Sequence, residues 1–137
     1  MIKNLVFSGG GVKGYSFIGC LKALEELNIT QDIKAISSTS IGSLFSILFI
    51  IGYKSKELEQ IFSNIDFNNL QNFEILNFKN NYGFDNGDNI MKFLQVLLTE
   101  KKIDPEITFL QLFEKTKIKF IITGTNISKQ KIVYFNY

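Results

Sequence analysis

The 137-residue chain contains no histidine, no arginine and no tryptophan, and only one proline and one cysteine. Each absence removes chemistry. Without histidine, neither a Ser-His-Asp triad nor an imidazole-based zinc site can form within the chain. Without arginine there is no bidentate grip on phosphate or carboxylate. The lone Cys20 excludes an internal disulfide and every Cys-cluster metal site. It falls in a helical pattern and reads as a small core residue. The opening Met1-Ile2-Lys3-Asn4 shows no basic region followed by an apolar stretch and a small-residue cleavage site, so an intracellular protein is expected. A membrane-spanning helix needs about 20 apolar residues. The longest apolar run, Ile41 to Tyr53, falls short and follows Ser37, Ser38, Thr39 and Ser40, so it reads as a buried core helix. Fifteen lysines face thirteen acids, a net charge of +2. That balance argues against a nucleic-acid partner recognised by charge. It permits weak contact with anionic lipid without arguing for it.

Hydrophobic residues make up 45% of the chain, enough for one folded domain with a real core. Ile2 to Phe7 is a short apolar run ending at glycines and reads as a buried strand. Tyr15 to Leu27 reads as a helix, with Phe17, Cys20, Leu21, Leu24 and Leu27 on one face. Ile33 to Ser37 is a second strand and Ile41 to Ile51 a second helix. Strand, helix, strand, helix is the pattern of a parallel sheet with covered faces. Ser55 is a candidate cap for a helix through Ile65, with Leu58, Ile61, Phe62 and Ile65 inward. Residues 66–81 show no clean period and read as irregular, a candidate flap. Tyr82 to Gly87 is a turn cluster. Asp88 opens a helix to about Lys101, with Ile90, Phe93, Leu94, Leu97 and Leu98 inward. Pro105 marks a loop, and Thr108 caps a short helix to Lys115. Lys119 to Thr125 and Lys131 to Asn136 read as strands hairpinned through Ser128 to Gln130. The chain stops at Tyr137 in mid-strand, so the domain, 1–137, is expected to be incomplete at its C-terminus.

Two turns carry the chemistry. The first, Gly9-Gly10-Gly11-Val12-Lys13-Gly14, joins a strand to a helix. Glycines there allow close backbone approach, and the amides that open a helix point outward. With the helix dipole, such a spot stabilises a phosphate, a carboxylate or a developing oxyanion. Gly9, Gly11 and Gly14 also match the dinucleotide-binding spacing, which makes a nucleotide-binding module one alternative. That reading wants an acid at the end of the second strand, where Ser37 and Ser38 stand. The second turn, Ser38-Thr39-Ser40-Ile41-Gly42, fits a nucleophile elbow, a strained turn that exposes a hydroxyl. Gly42 supplies one small flanking residue and Ser38 the other. An ordinary helix cap is the plainer reading of those residues alone. Their position one strand-helix unit behind the glycine turn favours the elbow, because adjacent parallel strands bring both turns to one sheet edge. Ser40 then needs a lysine or a carboxylate as its base. Lys13, kept charged, is expected to support the glycine turn or meet an anionic head group.

These residues resemble the patatin-like phospholipase family. Gly9 to Gly14 is similar to its G-G-G-x-[K/R]-G run, and Thr39, Ser40, Ile41 and Gly42 to its G-x-S-x-G elbow, with Ser38 departing from the first glycine. Tyr82 to Gly87 and the Thr123 to Phe135 strand pair resemble later parts of the family pattern. The resemblance implies a three-layer, mostly parallel α/β sheet with helices on both faces. It implies Ser40 as nucleophile of a Ser-Asp dyad. The turn Gly9, Gly10, Gly11, Lys13 and Gly14 would form the oxyanion hole. The substrate would be a phospholipid or acylglycerol, and no cofactor or metal is needed. It implies a cytoplasmic protein in transient contact with a lipid surface. The sequence carries no signal of oligomeric state. The family's aspartate lies in an Asp-Gly motif beyond the strand pair. None of the five aspartates, Asp32, Asp66, Asp85, Asp88 and Asp104, precedes a glycine directly, so the dyad partner is unassigned. A catalytically inactive fragment or a lipid-binding remnant lacking the dyad aspartate is therefore a second alternative.

Overall fold

The structure is a computed structural model and describes residues 2–65 and 85–137. The candidate flap at 66–81 and Tyr82 to Phe84 lie outside the described residues. Among the described residues, four strands form one sheet in the order β1 (Asn4–Phe7), β2 (Ala35–Thr39), β3 (Lys119–Asn126) and β4 (Lys131–Phe135). The first three are parallel; β4 runs antiparallel to β3. Among the described residues, five α-helices accompany them: α1 (Ser16–Glu26), α2 (Ile41–Ile50), α3 (Ser55–Ser63), α4 (Asp88–Glu100) and α5 (Phe109–Thr116). A short 3₁₀ turn, Gly11–Tyr15, precedes α1.

Register explains the two faces of the sheet. Leu5 pairs with Ile36 and Ile36 with Phe120; Phe7 pairs with Ser38 and Ser38 with Ile122. Side chains alternate along a strand, so this set shares one face. The helices cover it: Phe7 meets Phe17 of α1, and Phe120 stacks on Phe109 of α5. The opposite face carries Val6, Ile121, Ile132 and Tyr134, and Val6 is 81% exposed. Of the two helical layers expected, the described residues supply one.

Helix α2 is buried almost all round, from Gly42 and Leu44 through Ile50. Phe45 stacks on Phe62 of α3 at 4.8 Å, and Phe17 meets Phe45 edge-on at 5.8 Å. This is why the run lacks amphipathic period: it is a core helix, enclosed by protein. No helix among the described residues is long and apolar enough to cross a membrane.

Three local expectations change. Cys20 is exposed, as is Leu27, because the inward stripe of α1 runs through Phe17, Leu21 and Leu24. Ser55 does not cap α3; it is the helix's first residue and is buried. Its N–H and hydroxyl donate to the Glu25 carboxylate at 3.0 and 2.6 Å, which ties α3 to the end of α1. Ile90 is exposed on α4 rather than turned into the core, at the mouth of a cavity. Thr108 does cap α5, accepting from Gln111 N–H while donating its own N–H to Gln111 Oε1.

Candidate active site

The pairing of Phe7 with Ser38 brings the ends of β1 and β2 level, so both turns open on the same sheet edge. A Cβ on Gly9 would sit 3.4 Å from Ser40 Cβ and 3.7 Å from Thr39 Cγ2. The glycine turn therefore lies against the serine itself. Lys13 N–H closes that turn onto Gly10 O at 3.1 Å, and Gly11 takes φ +54°. The N–H groups of Gly10 and Gly11 have no hydrogen-bond partner among the described residues. Two members of the run have other tasks. The Lys13 amide is used within the turn. Gly14 is buried, and a Cβ there would lie 2.5 Å from Ile41 Cγ1, so it is a packing glycine.

Ser40 has φ 53° and ψ −129°, a left-handed conformation that costs a serine roughly 1–3 kcal/mol. Its side chain is exposed and makes no hydrogen bond among the described residues. The strain is held in place by its surroundings. Ser43 N–H donates to Ser40 O at 2.8 Å and starts α2. A Cβ on Gly42 would lie 2.6 Å from Ser8 O, so only glycine lets α2 pass the end of β1 this closely. Across the sheet, the hydroxyls of Thr39 and Thr123 hydrogen-bond each other, and Thr123 also donates to Ser38 O at 3.4 Å. Ser38, in the place of a glycine, is buried and donates its hydroxyl to Ser43 Oγ at 3.2 Å.

Ser40 borders a cavity of about 490 Å³. Leu44 and Ile47 of α2, Leu98 of α4, Leu112 of α5 and Phe120 of β3 form its buried walls. Among the described residues, hydroxyls enter it from Ser40, Ser43 and Thr108. Such a space accepts a flexible apolar group whose reactive end lies beside Ser40. Of the four described aspartates, three serve turns: Asp85 accepts from Gly87 N–H, Asp88 from Asn86 Nδ2 and Asp104 from Glu106 N–H, while Asp32 ends the 3₁₀ turn Thr30–Asp32 that precedes β2. Asp66 lies outside the described residues. Among the described residues, those with displaced ionisation, Tyr53 and Glu57, lie beyond the far end of α2.

Sequence reasoning missed Thr123 and Ser43 as supports of the elbow, and the cavity walls on α4 and α5. The walls leave only a generic apolar stripe, and the braces depend on strand register.

The profile of the patatin-like phospholipases matches residues 5–135. The chain belongs to the patatin-like phospholipase family. Among its relatives, the probable lipid hydrolase 463L of Invertebrate iridescent virus 6 is 33% identical over 98% of this chain. Uncharacterized protein R571 of Acanthamoeba polyphaga mimivirus is 32% identical over the same share. The chain spans 47% and 46% of these two proteins, about half the length of the curated relatives it matches. In fold it is similar to VipD from Legionella pneumophila, with a TM-score of 0.66, 18% identity and coverage of 97% of this chain and 39% of that one. As a patatin-like protein it does not need the nucleotide-binding alternative. That alternative also lacks its topology here, since the strand leading into the glycines stands at the sheet's end, beside β2 alone, among the described strands.

Proposed function

We propose that this chain carries the nucleophile and oxyanion site of a lipid acyl hydrolase of phospholipase A or acylglycerol lipase type. The observation behind it is the contact of Gly9 with a strained, exposed Ser40 at the rim of an apolar cavity. The acyl chain of a phospholipid or acylglycerol enters the cavity and its ester carbonyl meets Ser40. Ser40 Oγ attacks that carbon, and the free N–H groups of Gly10 and Gly11 receive the oxyanion. The dyad carboxylate takes the Ser40 proton during the attack and returns it to the departing oxygen, so the alcohol leaves and an acyl-enzyme remains. Water, deprotonated by the dyad carboxylate, then attacks the acyl carbon and releases the fatty acid. The carboxylate is an aspartate of the dyad that the family resemblance implies, and no residue of 1–137 is named for it. No metal or organic cofactor takes part. The protein meets lipid transiently, as a peripheral protein of the cytoplasm.

Ser40→Ala is expected to lower ester hydrolysis about 10⁴-fold or more while the fold is kept. A fluorophosphonate should label Ser40. Labelling at another residue, or hydrolysis that survives the substitution, overturns the assignment. Lipid binding by the unaltered chain without any hydrolysis would favour the inactive alternative.

A further inference from the structure

The sheet edge that presents Ser40 also carries the most exposed large apolar side chain of the described residues, Ile127, together with Val12, while Val6, 81% exposed, lies on the open sheet face. Ile127 is 84% exposed at the tip of the β3–β4 hairpin, and Val12 is 70% exposed in the glycine turn. The hairpin overshoots the site: Thr39, the last residue of β2, pairs with Thr123, three residues before the end of β3. At about 3.3 Å per residue, its tip stands roughly 10 Å beyond Ser40's strand. Exposed lysines flank both prongs: Lys13 beside Val12, and Lys129 and Lys131 beside Ile127. Residues 1–24, 33–56 and 115–137, which contain all four strands and both turns, hold no Asp or Glu. Of the described acids elsewhere, Asp85 and Asp88 are hydrogen-bonded within the turn that opens α4, and Asp104 and Glu106 accept from Glu106 N–H and Gln95 Nε2.

Apolar prongs ringed by lysines suit one partner: a surface with an apolar interior and anionic headgroups. We propose that this edge docks the protein on an anionic phospholipid bilayer. Ile127 and Val12 enter the acyl layer, and Lys13, Lys129 and Lys131 meet headgroup phosphates. The edge then faces the cavity mouth toward its substrate. The choice of a lipid partner rests on the hydrolase reading; the shape and charge of the surface do not.

The test is co-sedimentation of the 137-residue chain with phosphatidylcholine vesicles, with and without phosphatidylserine. Binding should require phosphatidylserine and weaken with salt. Replacing Lys13, Lys129 and Lys131 with Gln should weaken it about fivefold per lysine, and Ile127→Asp should abolish it. Replacing Lys3, Lys34 and Lys119, at the opposite sheet edge, removes the same charge and should leave binding unchanged. Equal loss in both triple variants, binding indifferent to phosphatidylserine, or full binding by Ile127→Asp would each overturn the proposal. Ser40→Ala should bind vesicles like the unaltered chain. Vesicle binding by a chain whose Ser40 no fluorophosphonate labels would sink the proposed activity and leave the docking edge standing. Hydrolysis of a soluble short-chain ester without vesicle binding would sink the docking edge alone.

Discussion

A methyl group on Gly42 would lie 2.6 Å from Ser8 O and 2.7 Å from Phe7 O. Both obstacles are backbone and cannot swing aside. Gly42→Ala is therefore expected to cost about 1–3 kcal/mol through a forced shift of α2. Gly10 is the contrasting residue. Its φ of 178° lies outside the left-handed range, and the nearest atom to an added Cβ is Lys13 Cβ at 3.7 Å. Gly10→Ala should stay within about 0.5 kcal/mol of the parent while slowing acylation of Ser40. Urea unfolding and single-turnover labelling, run on both variants, separate packing from chemistry. A stable Gly42→Ala variant would mean that α2 is free to slide. Unchanged turnover in Gly10→Ala would remove the glycine turn from the mechanism. The glycines were legible in the sequence; which one serves packing and which one leaves an amide free was not, because that depends on the neighbour each one meets.

At the scale of elements, the far end of α2 is held by a polar cluster. Tyr53 donates its hydroxyl to Leu97 O at 3.0 Å and to Glu100 Oε2 at 2.8 Å. Burial first, then the Glu100 bond, hold this phenol well above its ordinary ionisation range. Lys101 lies 4.2 Å over the Tyr53 ring and bonds Glu57 Oε1 at 2.7 Å, joining α4 to α3. That bond, followed by the Lys54 N–H, lowers the Glu57 pKa. A carboxylate whose pKa is lower folded than unfolded stabilises above its unfolded pKa. The gain is lost as pH falls through the folded value. The pair is partly exposed, so water screens it and the gain is on the order of 0.5 kcal/mol. Lys101→Met should remove that increment at neutral pH and converge with the parent in acid, as read from thermal midpoints across pH. A constant difference across that range would mean that Lys101 acts by packing alone. The helix boundaries here were largely readable from apolar spacing. The Glu25 bond to Ser55 was not, because its partners are 30 residues apart.

For the whole molecule, order should be graded from the centre outward. Strand β2 is paired on both sides, and α2 is enclosed by the sheet, α1, α3 and α4. Strand β4 is paired on one side only among the described strands, and its Ile132, Tyr134 and Phe135 are exposed. Amide hydrogen exchange should therefore be slowest in β2 and α2 and fastest in β4, since local opening costs least where few apolar contacts break. Slow exchange in β4 would show that its free edge or open face is covered in solution. The sheet has one helical layer among the described residues, while the relatives compared run to about twice this length.

The sequence by itself determined the alternation of strands and helices, the two turns that end β1 and β2, and the lack of an imidazole within these 137 residues. Those features are local: apolar period, glycine placement and residue type act within a few positions of the chain. Only the tertiary structure decided that Gly9 rests on Ser40, that Thr123 braces the elbow and that leucines from α4 and α5 wall the cavity. It also decided that Cys20 faces out. These depend on strand register and helix rotation, which are set by the packing of residues distant in the chain and leave no mark on any short stretch of it.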